Sequence, residues 1–186
     1  MNLFDFSFTN IEGLAQVIRK TPQDHRGAFS KIYCDEEFSV SKLDFQVKQV
    51  NCSYTSKKGT IRGLHYQVPP HAEKKLVTCT KGKIFDVVVD LRAHSPTFLF
   101  WYSDLLSSEN NRALMIPEGC CHGFQTLTDD CEVLYLHSKS YRPEAEAGVN
   151  IFDPKIEIQW PCPVTGMSEK DRAHPLLPEN FEGILL

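Results

Sequence analysis

The segments RGLHYQ at residues 62–67 and PEGCCHGF at residues 117–124 determine how this chain is interpreted. Each contains one histidine, His65 or His122, and each has the pattern of a strand end. Arg62 precedes the first histidine by three residues, and Lys74 and Lys75 follow it within ten. A candidate base, a second polar group and clustered cations are typical of an enzyme that acts on an anionic substrate.

The composition favours one globular domain over residues 1–186. The chain has 41% hydrophobic and 24% charged residues, and its net charge of −4 is not typical of nucleic-acid binding. The sequence predicts no signal peptide and no membrane span. Its seven cysteines are an odd number and contain no C-x-x-C, which favours free thiols in a reducing cytosol. We therefore expect a cytoplasmic protein with neither a nucleic-acid nor a membrane partner.

The middle of the chain has the pattern of many short strands. Residues 87–89 are three consecutive valines, which helices disfavour. Residues 131–138 alternate, so that Val133, Tyr135 and His137 share one face. Many short strands and few helices favour a sandwich or a closed barrel, with a jelly roll among the candidates. We predict strands at 76–79, 84–91, 98–105, 113–116 and 131–138, a hairpin turn at 81–82, short helices near 10–18, 34–42 and in the tail, and an irregular tail from about 161.

Two motifs resemble those of cupins. The first comprises Gly59, His65, Gln67, Glu73 and Gly82, and the second has the form P-x-G-x-x-H. The resemblance implies a cupin-type double-stranded β-helix, a jelly-roll barrel in which both motifs face one cavity, with a few short peripheral helices. Gln67 takes the place of the second histidine of H-x-H, and an amide is a poor substitute for imidazole on a transition metal. We therefore predict no metal.

From residue types alone, several alternatives stay open. His65 is also explained as a hydrogen-bonded core histidine. Lys74 and Lys75 are also explained as solvated charges at the start of a strand, although Lys75 directly precedes an apolar run. Tyr135 is also explained as a core tyrosine whose hydroxyl has a partner.

A longer series of motifs resembles the dTDP-4-dehydrorhamnose 3,5-epimerase family of cupins. The matches run in order over most of the chain and are RG at 26–27, Q-x-N-x-S at 49–53, RGLHYQ at 62–67, KLV at 75–77, GKIFDVVVDLR at 82–92, SPTF at 95–98, IPEG at 116–119, HGF at 122–124, Tyr135, Asp153, WP at 160–161 and S-x-KD at 168–171. The combination of RGLHYQ, KLV and HGF is specific, and we identify the chain as a member.

The resemblance implies epimerisation of a nucleotide-linked 4-keto-6-deoxy sugar through an enolate, without metal or other cofactor. It implies that His65 is the base, Asp171 its partner, Tyr135 the acid and Lys75 the group that stabilises the enolate oxygen. It also implies a homodimer, with some substrate contacts crossing the subunit interface. The positions that it implies for substrate binding are Arg26, Gln49, Asn51, Arg62, His122, Glu146 and Lys170.

The chain departs from the family pattern near positions implied in substrate binding. Lys31 stands where many members carry an acid, Val50 where many carry Asp, Leu136 where many carry Lys, and Ser140 where a Tyr-Tyr pair is expected. Three alternatives to inversion at both C3 and C5 therefore remain. They are a C3-only epimerase, a catalytically silent sugar-nucleotide-binding cupin, and a metal-dependent cupin.

Overall fold

The computed structural model describes residues 3–41 and 43–186, which form antiparallel strands with two short α-helices. The prediction of an all-β, cupin-like jelly roll is confirmed. The elements are β1 Phe4–Phe8, β2 Ala15–Arg19, β3 Gln23–Asp24, β4 Gly27–Ala28, α1 Asp35–Val40, β5 Gln49–Thr55, β6 Ile61–Gln67, β7 Lys75–Lys81, β8 Lys83–Asp90, β9 Trp101–Ser107, β10 Arg112–Ile116, β11 Cys120–Thr126, β12 Cys131–His137, a 3-10 turn Pro143–Ala145, β13 Glu146–Gly148 and α2 Glu169–Arg172.

Two main sheets enclose the interior. The first has the strand order β1-β2-β10-β7-β12-β5, and the second has the order β13-β6-β11-β8-β9. One buried cluster takes Val77 and Val133 from the first sheet and Val88 and Phe124 from the second. Side chains alternate along a strand, so the residues two positions along from these also point inward.

That alternation places the polar site and the apolar core on the same strands. In β12, Val133 belongs to the interior cluster, and Tyr135 packs against it. In β11, His122 precedes Phe124 by two residues and is 5% exposed. The interior is therefore apolar at one end and polar at the other.

The outer face of each sheet is covered by a different part of the chain. Leu76 and Leu136 of the first sheet pack with Phe38 of α1 in a second buried cluster. Ile61 and Val89 of the second sheet pack in a third cluster with apolar residues of the C-terminal segment, which include Ile151, Ile156, Trp160 and Phe181. The C-terminal segment thus packs over the second sheet.

The predicted hairpin at 76–91 is wrong. Both strands exist, but β7 pairs with β10 and β12, whereas β8 pairs with β9 and β11. Gly82 joins them at φ +78°, and a Cβ there would lie 2.7 Å from the Cys131 sulfur. The turn therefore carries the chain from one sheet to the other, since a jelly roll places these successive strands in opposite layers.

The predicted helix at 10–18 is also wrong. Its second half is β2, which pairs with β1 and β10 and whose residues Ala15 and Val17 are buried at alternate positions. The prediction at 34–42 corresponds to α1, and its last residue, Lys42, lies outside the described residues. The tail helix is α2. Within the described ranges, no helix has the length and apolar character needed to cross a membrane.

Candidate active site

A cavity of about 330 Å³ opens at the polar end of the interior. Both sheets line it, because its residues lie on the inward faces of β5, β7 and β12 on one side and of β6 and β11 on the other. The lining includes Gln49, Asn51, Cys52, Ser53, Arg62, His65, Tyr66, Gln67, Glu73, Lys75, His122, Phe124, Tyr135, His137, Tyr141, Glu146, Ser168 and Asp171.

His65 and Asp171 form a hydrogen-bonded pair in one wall of this cavity. His65 lies on β6, between β11 and β13, and its Nε2 is 2.9 Å from Asp171 Oδ1. Asp171 accepts a second bond from the Gly63 backbone N–H at 3.2 Å. Because a carboxylate only accepts hydrogen bonds, Nε2 carries the proton and Nδ1 is the basic nitrogen of neutral His65.

The local sequence SEKD brings Asp171 to His65. Ser168 caps α2 by accepting the Asp171 backbone N–H at 3.0 Å, and the Asp171 side chain reaches β6 instead of turning back to the cap. Burial pushes the pKa of Asp171 upward, but the hydrogen bond and charge of His65 and the Gly63 N–H outweigh it, so that this pKa is lowered. Asp171 therefore stays ionised and remains a hydrogen-bond acceptor for the His65 ring.

Tyr135 lies in the opposite wall, on β12. Its hydroxyl is 2.9 Å from Ser53 Oγ on the neighbouring strand β5. Burial raises the pKa of the phenol well above its usual range, and the nearby Asp86 charge adds to that effect, although the Ser53 hydrogen bond opposes it. The phenol is therefore protonated at neutral pH, as a proton donor must be.

Lys75 is the first residue of β7, and its cationic side chain is buried. Its side chain is 10% exposed, and its Nζ lies 3.0 Å from Glu73 Oε1 and 3.4 Å from the His65 carbonyl oxygen. Gln67 donates its amide to the other oxygen of Glu73. A buried ammonium is costly unless it is paired, so Glu73 supplies its partner and fixes its position.

His122 and Asp86 form a second buried histidine–carboxylate pair. The distance from Nε2 to Oδ1 is 2.8 Å, and Asp86 Oδ2 is buried without a hydrogen-bond partner among the described residues. Burial raises the pKa of Asp86, and the His122 charge opposes that rise. On β12, burial lowers the pKa of His137 to about 4, with Lys75 and His122 adding to the effect, so His137 is neutral.

The structure brings most of the predicted substrate-binding residues to one place. Gln49, Asn51, Arg62, His122 and Glu146 line the cavity, and Lys170 lies at its rim with Nζ bound to the Glu146 carboxylate. Arg62 donates to Thr55 Oγ1 and to the Tyr54 carbonyl, each at 2.9 Å.

Arg26 is the exception. It lies in the β3–β4 hairpin with its side chain 79% exposed, pairs with Asp24 at 2.6 Å and does not line the cavity.

All four departures from the family pattern, at Lys31, Val50, Leu136 and Ser140, lie outside the lining of this cavity. Leu136 is 6% exposed and packs in the outer cluster with Leu76, and Val50 is 57% exposed and does not line the cavity. Each lies one residue from an inward position, so its side chain points away from this cavity. Lys31 pairs with Glu37 at 2.7 Å.

The residues matched to the cupin metal motif have other partners. His65 contacts Asp171, Gln67 contacts Glu73, and His122 contacts Asp86. Over the described ranges, the group whose ligand atoms converge is a different one, His65 with Asp171 and His174.

From the sequence we assigned no catalytic or substrate-binding role to five polar residues around the site, namely Ser53, Glu73, Asp86, His137 and His174. Three of them had a usable signal. His137 shares the alternating face of Tyr135, Ser53 shares the face of Asn51, and Asp86 is the only charged residue between Ile84 and Val89. His174 had none, since only the tertiary fold brings it to β6.

Comparison with known proteins agrees with this architecture. The family model described as dTDP-4-dehydrorhamnose 3,5-epimerase matches residues 8–179. A protein of that name from Sinorhizobium fredii is 43% identical over 157 residues, which cover 84% of this chain and 80% of that protein. A dTDP-4-dehydrorhamnose 3-epimerase from Streptomyces niveus is 36% identical over 177 residues, covering 95% of this chain and 85% of the relative.

The fold also matches that of a solved structure over nearly the whole chain. The dTDP-6-deoxy-D-glucose-3,5-epimerase of Legionella pneumophila, in complex with dTDP-4-keto-L-rhamnose, superposes with a TM-score of 0.88 at 35% identity. The match covers 93% of this chain and 92% of that one. Sequence and fold therefore agree over nearly the whole length, and the chain belongs to the dTDP-4-dehydrorhamnose 3,5-epimerase family.

Proposed function

We propose that the protein epimerises a dTDP-linked 4-keto-6-deoxyhexose at C3 and C5, converting dTDP-4-dehydro-6-deoxyglucose to dTDP-4-dehydrorhamnose. The observation that supports this most is the placement of two proton-transfer groups. His65, with Asp171, lies on the second sheet, and Tyr135 lies on the first, on opposite walls of one cavity. Inversion of a carbon requires removal of a proton on one face and its return on the other.

In this mechanism, His65 Nδ1 removes the proton next to the 4-keto group, and negative charge develops on the keto oxygen. The Lys75 ammonium stabilises that charge from a site shielded from water, where a fixed cation is most effective. Tyr135 then donates its phenolic proton to the opposite face of the carbon. Asp171 stabilises the imidazolium that His65 becomes.

The diphosphate and the nucleoside need binding groups outside this acid–base set. Arg62 presents a guanidinium at the cavity, and Lys170 lies at its rim. We propose that Arg26 acts from the partner subunit of a homodimer, because in its own chain it is exposed and does not line the cavity. The seven cysteines are all free, which supports a reducing compartment such as the cytosol.

The decisive test is solvent exchange. With dTDP-4-keto-6-deoxyglucose in deuterated water, we expect deuterium at both C3 and C5, measured by NMR of the sugar. If pure enzyme exchanged neither C3 nor C5, with GDP- and UDP-linked 4-keto sugars as well as the dTDP-linked sugar, epimerase activity would be contradicted. Tight binding without exchange would instead indicate a silent binding protein.

A C3-only epimerase is the second candidate, and the similarity to the Streptomyces niveus 3-epimerase favours it. The same NMR experiment separates the two, since deuterium in the product at C3 but not at C5 selects the second candidate. Exchange that required added iron, nickel or manganese would point to a metal-dependent cupin instead.

Glu73→Gln tests how Lys75 is held. We expect C3 exchange to slow by about 10- to 100-fold, less than the roughly 10²- to 10³-fold cost of removing an oxyanion-stabilising group itself. The change keeps the shape of the side chain but removes the negative partner of a buried ammonium. The measurement is the exchange rate at saturating substrate.

The control for this prediction is a double-mutant cycle with Lys75→Met. In that background, Glu73→Gln should change the exchange rate little, because its effect passes through the missing ammonium. Equal effects of Glu73→Gln with and without Lys75 would contradict this role.

A further inference from the structure

His174 lies beside the His65–Asp171 pair, although neither the mechanism nor the family motif uses it. Its Nε2 is 3.9 Å from Asp171 Oδ1, and its side chain is 10% exposed. Its ring meets that of His65 at a centroid distance of 5.4 Å and an angle of 76°. Asp171 is thus flanked by two imidazoles.

The Nε2 atom of His174 is buried and has no hydrogen-bond partner within the described part of the chain. A buried polar atom without a partner is uncommon in folded proteins and calls for an explanation. The ring also packs directly against β13, because a Cβ at Gly148 would lie 2.3 Å from it. A buried, unpartnered imidazole nitrogen therefore faces a carboxylate and a second imidazole.

We propose that His65, Asp171 and His174 bind one divalent transition-metal ion, with Zn²⁺ as the best match, and that the ion inhibits the enzyme. The three ligand atoms lie within 4.8 Å of one another. Zinc bonds of about 2.0–2.2 Å place tetrahedral ligands roughly 3.4 Å apart, so a small rotation of the side chains closes the site. Two imidazoles and a carboxylate suit zinc rather than magnesium or calcium.

The fourth position is open to water. The His65 side chain is 31% exposed to the cavity, and three protein ligands plus one water is a common zinc arrangement. Two cations lie nearby, Lys170 and Lys75, but each is paired with a carboxylate, Glu146 and Glu73 respectively, which offsets its charge. Electrostatics around the three ligands therefore do not oppose a divalent cation.

The inhibition rests on the proposed function. It follows from which ring nitrogen of His65 carries the single proton of the neutral imidazole. To bind metal, His65 Nε2 must present a lone pair, so the proton that it donates to Asp171 moves to Nδ1. Neutral imidazole carries one proton, and Nδ1 is then occupied. Nδ1 can no longer accept the substrate proton, so the base is lost without any change in the fold.

Direct binding tests the site independently of catalysis. Co²⁺ chloride and then Zn²⁺ chloride are titrated into the nucleotide-free protein, with visible absorption for cobalt and calorimetry for zinc. We expect one ion per chain, a tetrahedral cobalt spectrum, and a loss of affinity of at least about 100-fold in both His174→Phe and His174→Ala, since removal even of a supporting group costs 10- to 100-fold.

Cys52→Ser is the matched control, because Cys52 is an exposed thiol that lines the same cavity. It should bind metal as the wild type does. Absence of binding to the wild type, unchanged affinity in both His174 variants, or loss of binding in Cys52→Ser would each overturn the site.

Inhibition is then read from deuterium exchange. Zn²⁺ should stop exchange by the wild type, and the concentration needed should rise in both His174 variants by the factor seen in binding. Equal inhibition of wild type and variants would overturn the inhibitory role. If the wild type catalyses no exchange at all, the proposed function and the inhibitory role both fail, while the binding measurements still decide the site.

Discussion

Replacing His65 with Asn is expected to slow both epimerisation and solvent exchange by about 10²- to 10⁴-fold, the range for loss of a general base. In the proposed mechanism His65 is the base, and its Nε2–H donates to Asp171 at 2.9 Å. Without it, no group at this position takes the substrate proton, so the enolate does not form. The two rates should therefore fall together, as measured by NMR in deuterated water.

His94→Asn is the matched control for this substitution. His94 is exposed, does not line the cavity and has φ +62°, a conformation that Asn tolerates well. It should keep full activity. If His65→Asn retained C3 exchange while its melting temperature and dTDP affinity matched the wild type, another residue would be the base.

Replacing Tyr135 with Phe is expected to separate the two halves of the reaction. Formation of the inverted product should fall by about 10²- to 10⁴-fold, since the acid on that face is lost. Deuterium exchange at C3 should stay measurable, because His65 still removes the proton and returns a deuteron to the same face. The measurement compares the rate of exchange into recovered substrate with the rate of product formation.

Ser53→Ala is the companion variant, because Ser53 is the hydrogen-bond partner of the Tyr135 hydroxyl at 2.9 Å. It keeps the phenol and should lower product formation much less than Tyr135→Phe. Loss of exchange together with product in Tyr135→Phe would show that Tyr135 acts earlier than protonation of the product.

The pH dependence of Tyr135 follows from its surroundings. Burial raises the pKa of the phenol, so the folded protein favours the protonated form. The phenol is therefore protonated throughout the neutral range and loses its proton only as pH rises through that raised value. Because the pKa of Tyr135 is raised, an alkaline limit of activity below about pH 10 must belong to another group. We therefore expect Ser53→Ala to leave such a limit unchanged.

Residue alternation and short sequence motifs predicted many of the strands and many of the site residues. The alternation at 131–138 gave both the span of β12 and the face shared by Val133 and Tyr135. The cations and His65 stood out because a Lys beside an apolar strand is unusual, and the family motifs supplied Asp171. The helix at 10–18 failed because sheet pairing with β1 and β10 outweighs short-range helical spacing.

The sequence by itself determined the strand-rich pattern, the family, and which side chains of each strand share a face, because these depend on residues near one another in the chain. Only the tertiary structure decided that β7 and β8 join opposite sheets, that Glu73 holds Lys75, and that His174 lies against Asp171. Strand partners and buried ion pairs depend on which strands become neighbours, and these strands are far apart in the chain. The alternation of side chains along one strand shows which face each residue occupies but not which strand lies beside it. The histidines of the opening motifs illustrate it, since His65 and His122 are register partners on β6 and β11, yet each binds a different carboxylate.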